Sequence, residues 1–138
     1  MTNQKKIMIV DDDPDILFTV KHILEADGYK VFTFENGWDM LRELDKGKKP
    51  SLIILDIMMP VISGWELHRK LGENPRWKKI PVVFLTARDT ETARQMCERY
   101  GIIRIKKPFD INDFKGKVVE VLLNRPKYSK VMCTSCYI

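Results

Sequence analysis

The chain has 138 residues, with 24 Lys and Arg against 19 Asp and Glu, for a formal charge of +5. That length suits one domain of ordinary size, and a composition 44% hydrophobic and 31% charged excludes bulk disorder. No apolar run approaches the roughly 18 residues of a membrane-spanning helix, and the apolar stretch after Lys6 is too short for a signal peptide, so a cytoplasmic protein with no membrane partner is expected.

Ile7-Met8-Ile9-Val10 is a continuous apolar run closed by Asp11-Asp12-Asp13-Pro14, the pattern of a strand buried on both faces. Pro14 suits the first turn of a helix, and Ile16, Leu17, Val20, Ile23 and Leu24 then recur at helical spacing up to Gly28. Val31 to Phe34 predicts a second strand, and Trp38, Leu41 and Leu44 a helix ending near Gly47. Leu52 to Leu55 predicts a third strand closed by Asp56, followed by a helix from Gly64 to Leu71 and a polar loop over 72–79. Val82 to Leu85, ending in Thr86, predicts the fourth strand; 89–100 predicts a helix; Ile102 to Ile105 predicts the last strand, before Lys106-Lys107-Pro108. Ile111, Phe114, Val118, Val121 and Leu122 define a closing helix to about Asn124. Five strand–helix pairs in alternation predict an α/β fold, a five-stranded parallel sheet with helices on both faces.

The charge is uneven along the chain. Residues 1–100 hold 16 basic and 16 acidic side chains, whereas 101–138 hold eight basic and three acidic ones. The surplus on the last quarter suits an acidic partner or a solvated face, and no nucleic-acid-reading motif accompanies it. Three cysteines argue against a disulfide framework. Cys97 falls on a helical stretch as a buried or half-buried thiol, and the Cys133–Cys136 pair lacks the further ligands that a closed zinc site needs.

The polar residues of interest collect at strand ends: Asp11 and Asp12 after the first, Asp56 after the third, Thr86 after the fourth and Lys107 after the fifth. In an open parallel sheet, ligands bind beyond the carboxyl ends of the strands. Three carboxylates aimed into one crevice repel, and a hard divalent cation such as Mg²⁺ removes the repulsion. The Thr and the Lys then remain to bind a group rich in oxygen, such as a phosphoryl group. Asp13 and Asp15 read instead as cap and turn residues, Pro60 as a turn former, and Gly64 as a position of tight approach before a helix.

Taken together, Ile9-Val10-Asp11-Asp12-Asp13-Pro14, Leu55-Asp56-Ile57-Met58-Met59-Pro60 with Gly64, Leu85-Thr86-Ala87 and Lys107-Pro108-Phe109 resemble the receiver domain of two-component response regulators, the CheY-like group with a flavodoxin-like, doubly wound (βα)5 fold. The resemblance implies that Asp56 is the phosphoacceptor, charged by a sensor histidine kinase or phosphotransfer protein. It implies that Asp11, Asp12, Asp56 and the backbone carbonyl of Met58 hold Mg²⁺, with Mn²⁺ as a substitute. Thr86 would bond a phosphoryl oxygen, Lys107 would pair with its charge, and Pro108 would follow a cis peptide. Met58 and Arg88 lie where family members tune dephosphorylation. One position departs: where members often carry Tyr or Phe, three residues before the lysine, this chain has Arg104, and the Gly101-to-Lys107 spacing is one residue short. The expectation is a cationic signalling face that selects an acidic output protein.

The expected organisation is a receiver over 1–125, a tail over 126–138 and no separate output domain, acting as a monomer or weak dimer and as a signalling switch with only self-catalysed phosphorylation and dephosphorylation. Two alternatives stand beside it. A haloacid-dehalogenase-type phosphohydrolase would take its DxD from Asp11 to Asp13, although Asp15 stands where that motif needs Thr. A binding module that takes no phosphate would use the same fold without the chemistry.

Overall fold

Each central strand buries alternate residues against opposite helical layers, which explains its unbroken apolar run. The computed structural model describes residues 4–88 and 90–124. Its elements are β1 (Lys6–Val10), α1 (Pro14–Ala26), β2 (Lys30–Phe34), α2 (Gly37–Asp45), β3 (Leu52–Asp56), α3 (Gly64–Glu73), β4 (Val82–Thr86), α4 (Glu91–Tyr100), β5 (Ile103–Lys106) and α5 (Ile111–Leu123). The five strands form one sheet in the order β2-β1-β3-β4-β5, with all adjacent pairs parallel.

Ile7, Ile9, Leu52, Ile54, Val83 and Leu85 pack with Leu17, Val20 and Leu24 of α1 and with Phe114, Val118 and Val121 of α5. The intervening residues Met8, Val10, Ile53, Leu55 and Phe84 pack on the other side with Met40 and Leu44 of α2, Leu67 and Leu71 of α3, and Ala93 and Cys97 of α4. This is the doubly wound α/β arrangement expected from the sequence, and Cys97 is a buried thiol.

Local chemistry sets the helix ends. Asp13 caps α1 by accepting from the Asp15 N–H, with Pro14 in the first turn. Ser63 and Glu66 form a capping box on α3. α3 runs through Gly72 to Glu73, two residues into the expected loop, and stops at Asn74 because Pro75 favours extended backbone before it. α4 starts later than expected, capped by Thr90, and ends at Gly101 in the left-handed region. The Ile102 N–H bonds back to the Cys97 carbonyl, so β5 begins at Ile103, one residue beyond the expected start. Arg104 then sits opposite Phe84 in the β4–β5 pairing. The Cys133–Cys136 pair and the 126–138 tail lie outside the described residues.

Candidate functional site

The strand order reverses direction between β1 and β3, and the chain leaves both strands there through acidic residues. The sheet register sets Val10 beside Leu55, so Asp11 and Asp56, each one residue further on, emerge side by side at the carboxyl end of the sheet. Carboxylate oxygens of Asp11, Asp12 and Asp56 all lie within 4.8 Å of one another. Asp11 is fully buried and Asp56 nearly so, whereas Asp12 is exposed.

β5 brings Lys107 to the same place. The Lys107 N–H donates to the Thr86 carbonyl at 2.7 Å, which anchors the backbone of Lys107 beside β4. The peptide linking Lys107 to Pro108 is cis. The Lys107 ammonium lies 2.6 Å from Asp11 Oδ2 and 3.6 Å from Asp56 Oδ2. Further donors complete the carboxylates: the Asp13 N–H donates to Asp11 Oδ1 at 2.9 Å, and the Met58 N–H to Asp56 Oδ1 at 3.3 Å.

Burial, and then the neighbouring Asp11 carboxylate, push the Asp56 carboxyl up to about 7. Lys107 opposes that rise, Asp12 adds to it, and the Met58 N–H pulls weakly the other way. A cluster of hard oxygen donors carrying excess negative charge is the chemistry that suits Mg²⁺, so the residues present fit that ion.

The site opens into a cleft of about 740 Å³, with Asp12, Asp56, Met58, Arg88, Lys107 and Pro108 among its walls. Thr86 does not face it. Its hydroxyl is fully buried, donating to the Arg88 carbonyl at 2.8 Å and accepting from the Arg88 N–H at 3.1 Å. Four of the five side chains singled out from the sequence thus converge directly, while the fifth is occupied by its own loop. Asp13, the second acid of the DxD alternative, is spent on capping α1.

Gly64 shapes the loop below Asp56. A Cβ there would stand 2.4 Å from the Asp56 carbonyl oxygen and 2.9 Å from Ile57 Cα, so only hydrogen fits. The Gly64 N–H donates to the Ile57 carbonyl at 2.9 Å, and the Ile62 N–H to the Pro60 carbonyl at 2.8 Å. The residue spanned by that second bond, Val61, has φ of 71° and is almost fully exposed. A β-branched residue rarely adopts this conformation, and nothing in the apolar–polar pattern of the sequence signals it.

Residues 7–119 match the family model for the response regulator receiver domain. PilH of Pseudomonas aeruginosa is 34% identical over 96 residues, spanning 70% of this chain and 78% of its own. Response regulator Rre1 of Synechocystis is 35% identical over 134 residues, spanning 94% of this chain and 56% of its own. The chain spans about half the length of several other curated relatives that it matches. Among solved structures, the response regulator TrrA of Thermotoga maritima in complex with Mg(2+)-BeF is 32% identical, with a TM-score of 0.74 over 86% of this chain and 99% of that one. With its fold, its acidic cluster and a match across most of its length in agreement, the chain belongs to the response regulator receiver domain family of two-component systems.

Proposed function

We propose that this chain is a phosphoacceptor switch in which Asp56 receives a phosphoryl group from a histidine kinase or phosphotransfer protein and thereby changes a protein–protein contact. The observation that carries the reading is the convergence of Asp11, Asp12 and Asp56 with the ammonium of Lys107 at the switch point of the sheet. A carboxylate oxygen of Asp56 attacks phosphorus in line. The P–O bond to Asp56 forms as the bond to the donor nitrogen breaks, and the donor histidine leaves with the electron pair.

Each residue has a distinct task in this reading. Asp11, Asp12, Asp56 and the Met58 carbonyl hold Mg²⁺, which when bound neutralises charge on the phosphoryl oxygens. Lys107 exchanges part of its contact with the carboxylates for a phosphoryl oxygen, and it positions that oxygen as a fixed charge. The Thr86 hydroxyl gives up the Arg88 carbonyl to donate to another. That exchange pulls on the loop after β4 and so carries the new charge outward to the surface. The complex of TrrA with Mg(2+)-BeF supports the presence of such a site in this family.

The proposal extends to a receiver over 1–125 that acts through partner binding, with a cytoplasmic setting and an acidic output protein. Among the described residues, no helix is long and apolar enough to cross a membrane. The test is incubation of the full chain and Asp56→Asn with acetyl phosphate, with and without Mg²⁺, followed by intact mass. The expected result is one added phosphoryl group on the wild type with Mg²⁺ and none on the variant. Equal labelling of both would overturn the assignment of Asp56, and labelling indifferent to chelation would overturn the metal's role.

A further inference from the structure

The cavity at the opposite end of the sheet has a chemistry that phosphoacceptance does not use. It lies between the α2–β3 loop (residues 46–51) and the α3–β4 loop (residues 74–81), at the amino ends of the strands, and has a volume of about 450 Å³. Its interior is apolar, formed by Leu44, Pro50, Ile80 and the half-buried ring of Trp77. Lys48, Lys49, Arg76 and Lys79 are also among its lining residues, and no acidic side chain is. Arg76 is shared with Asp45 at 2.8 Å and lies over the Trp77 ring at 5.3 Å, while Lys48 lies over Phe32 at 4.2 Å. Lys49 and Lys79 add two further charges to the same lining.

From this arrangement we infer that the cavity is a binding site for a nucleotide-like anion, an aromatic ring carrying phosphate groups. The volume falls within the range of small-molecule sites, about 300–1,000 Å³. A lining that combines apolar side chains and a tryptophan ring with several cations and no acid matches a molecule with a flat body and a charged end. An extended peptide fits less well, because the site meets the ends of two strands and offers no open strand edge. The sheet's free edges are β2 and β5, whereas this cavity is lined by α2 and the loops that lead into β3 and β4. The Arg76–Asp45 ion pair is exposed on both sides, so a ligand phosphate can replace Asp45 on Arg76 at little cost.

Calorimetric titration of the full chain with ADP tests this, with EDTA present so that no metal bridges ADP to the aspartates. Adenosine, pyrophosphate and an acidic peptide serve as comparison ligands. ADP is expected to bind, with adenosine and pyrophosphate each weaker by at least about tenfold, or about 1.4 kcal/mol. Lys48→Glu combined with Lys79→Glu should weaken ADP binding by at least the same factor, with thermal unfolding unchanged. Trp77→Leu should weaken it without altering the pyrophosphate response. Absence of ADP heat at millimolar ligand, equal binding by the charge-reversed variant, or pyrophosphate binding as tight as ADP would each overturn the inference. So would binding of the acidic peptide alone.

Discussion

At the carboxyl ends of β1 and β3 stand Asp11, Asp12 and Asp56, with Lys107 drawn in among them. At the amino ends of β3 and β4 stand Lys48, Lys49, Arg76 and Lys79, with Asp45 on Arg76. The first hundred residues are neutral as a sum, yet the fold sorts their charges to opposite ends of one sheet. The two ends also differ in depth. Asp11 is fully buried and Lys107 only 13% exposed in its side chain, whereas the Arg76 and Asp45 side chains are 56% and 72% exposed. Charges held out of water are coupled to folding, and charges in water are not. The acidic end is therefore expensive to alter and the basic end cheap.

The most severe break in that contrast is Lys107→Ala. It leaves Asp11 and Asp56 buried without their cation, and about 3–5 kcal/mol of stability should be lost, with added Mg²⁺ restoring part of it. Denaturant unfolding with and without the ion measures both, and a loss below that of a surface substitution would count against a coupled acidic end. Gly64→Ala should cost about 3 kcal/mol, because its Cβ meets the backbone of Asp56 and Ile57 and no side chain can yield. It should also slow labelling by acetyl phosphate, and an unchanged melting temperature would show that the loop shifts freely.

pH separates the acidic end from the buried core beside it. His68, nearly fully buried beside Phe84, is pulled down from 6.5 to about 4 by burial. Below pH 6.5 the unfolded chain therefore binds more protons than the folded one. Stability is complete above that pH and falls until about pH 4, by at most about 3 kcal/mol. His68→Leu should flatten this decline in acid titrations followed by circular dichroism, and an identical acid limb would sink the assignment. Asp56 has the opposite sign. Its pKa is raised to about 7, so its ionisation destabilises the metal-free fold increasingly as pH rises past its unfolded value. Without metal, Asp56→Asn should melt higher than wild type at pH 8, and Mg²⁺ should reduce the difference.

The smallest effects belong to exposed positions. Val61→Asn should stabilise by about 1 kcal/mol, since Asn tolerates the left-handed backbone that strains Val. Arg76→Ala should change stability by less than about 0.5 kcal/mol, and a larger loss would show that the basic end is structural after all.

The convergence of Asp11, Asp12, Asp56 and Lys107 on one end of the sheet was legible because a buried parallel strand announces itself as an apolar run, and the residues that follow it emerge at the carboxyl end. The orientation of Thr86 was not legible, since a hydroxyl two residues from a free N–H and C=O can bond its own loop. Nor was the strain at Val61, which follows from a turn closed by Pro60 and Ile62 and not from any propensity. β5 began one residue late because the cap of α4 consumed the Ile102 N–H.

The amino-acid order by itself determined the five strand–helix pairs, the two-sided burial of the strands and the chemical types gathered at their ends, because those depend on local period and on which residue ends each apolar run. The tertiary structure alone decided the contacts and depths of those groups, and which cations the loops at the amino ends share. Lys48 and Lys79 belong to different loops with α3 between them, and Asp11 and Lys107 stand at opposite ends of the chain. Each pair shares one end of the sheet because parallel strands all enter at one end and all leave at the other, so that charges remote in sequence are brought to the same end.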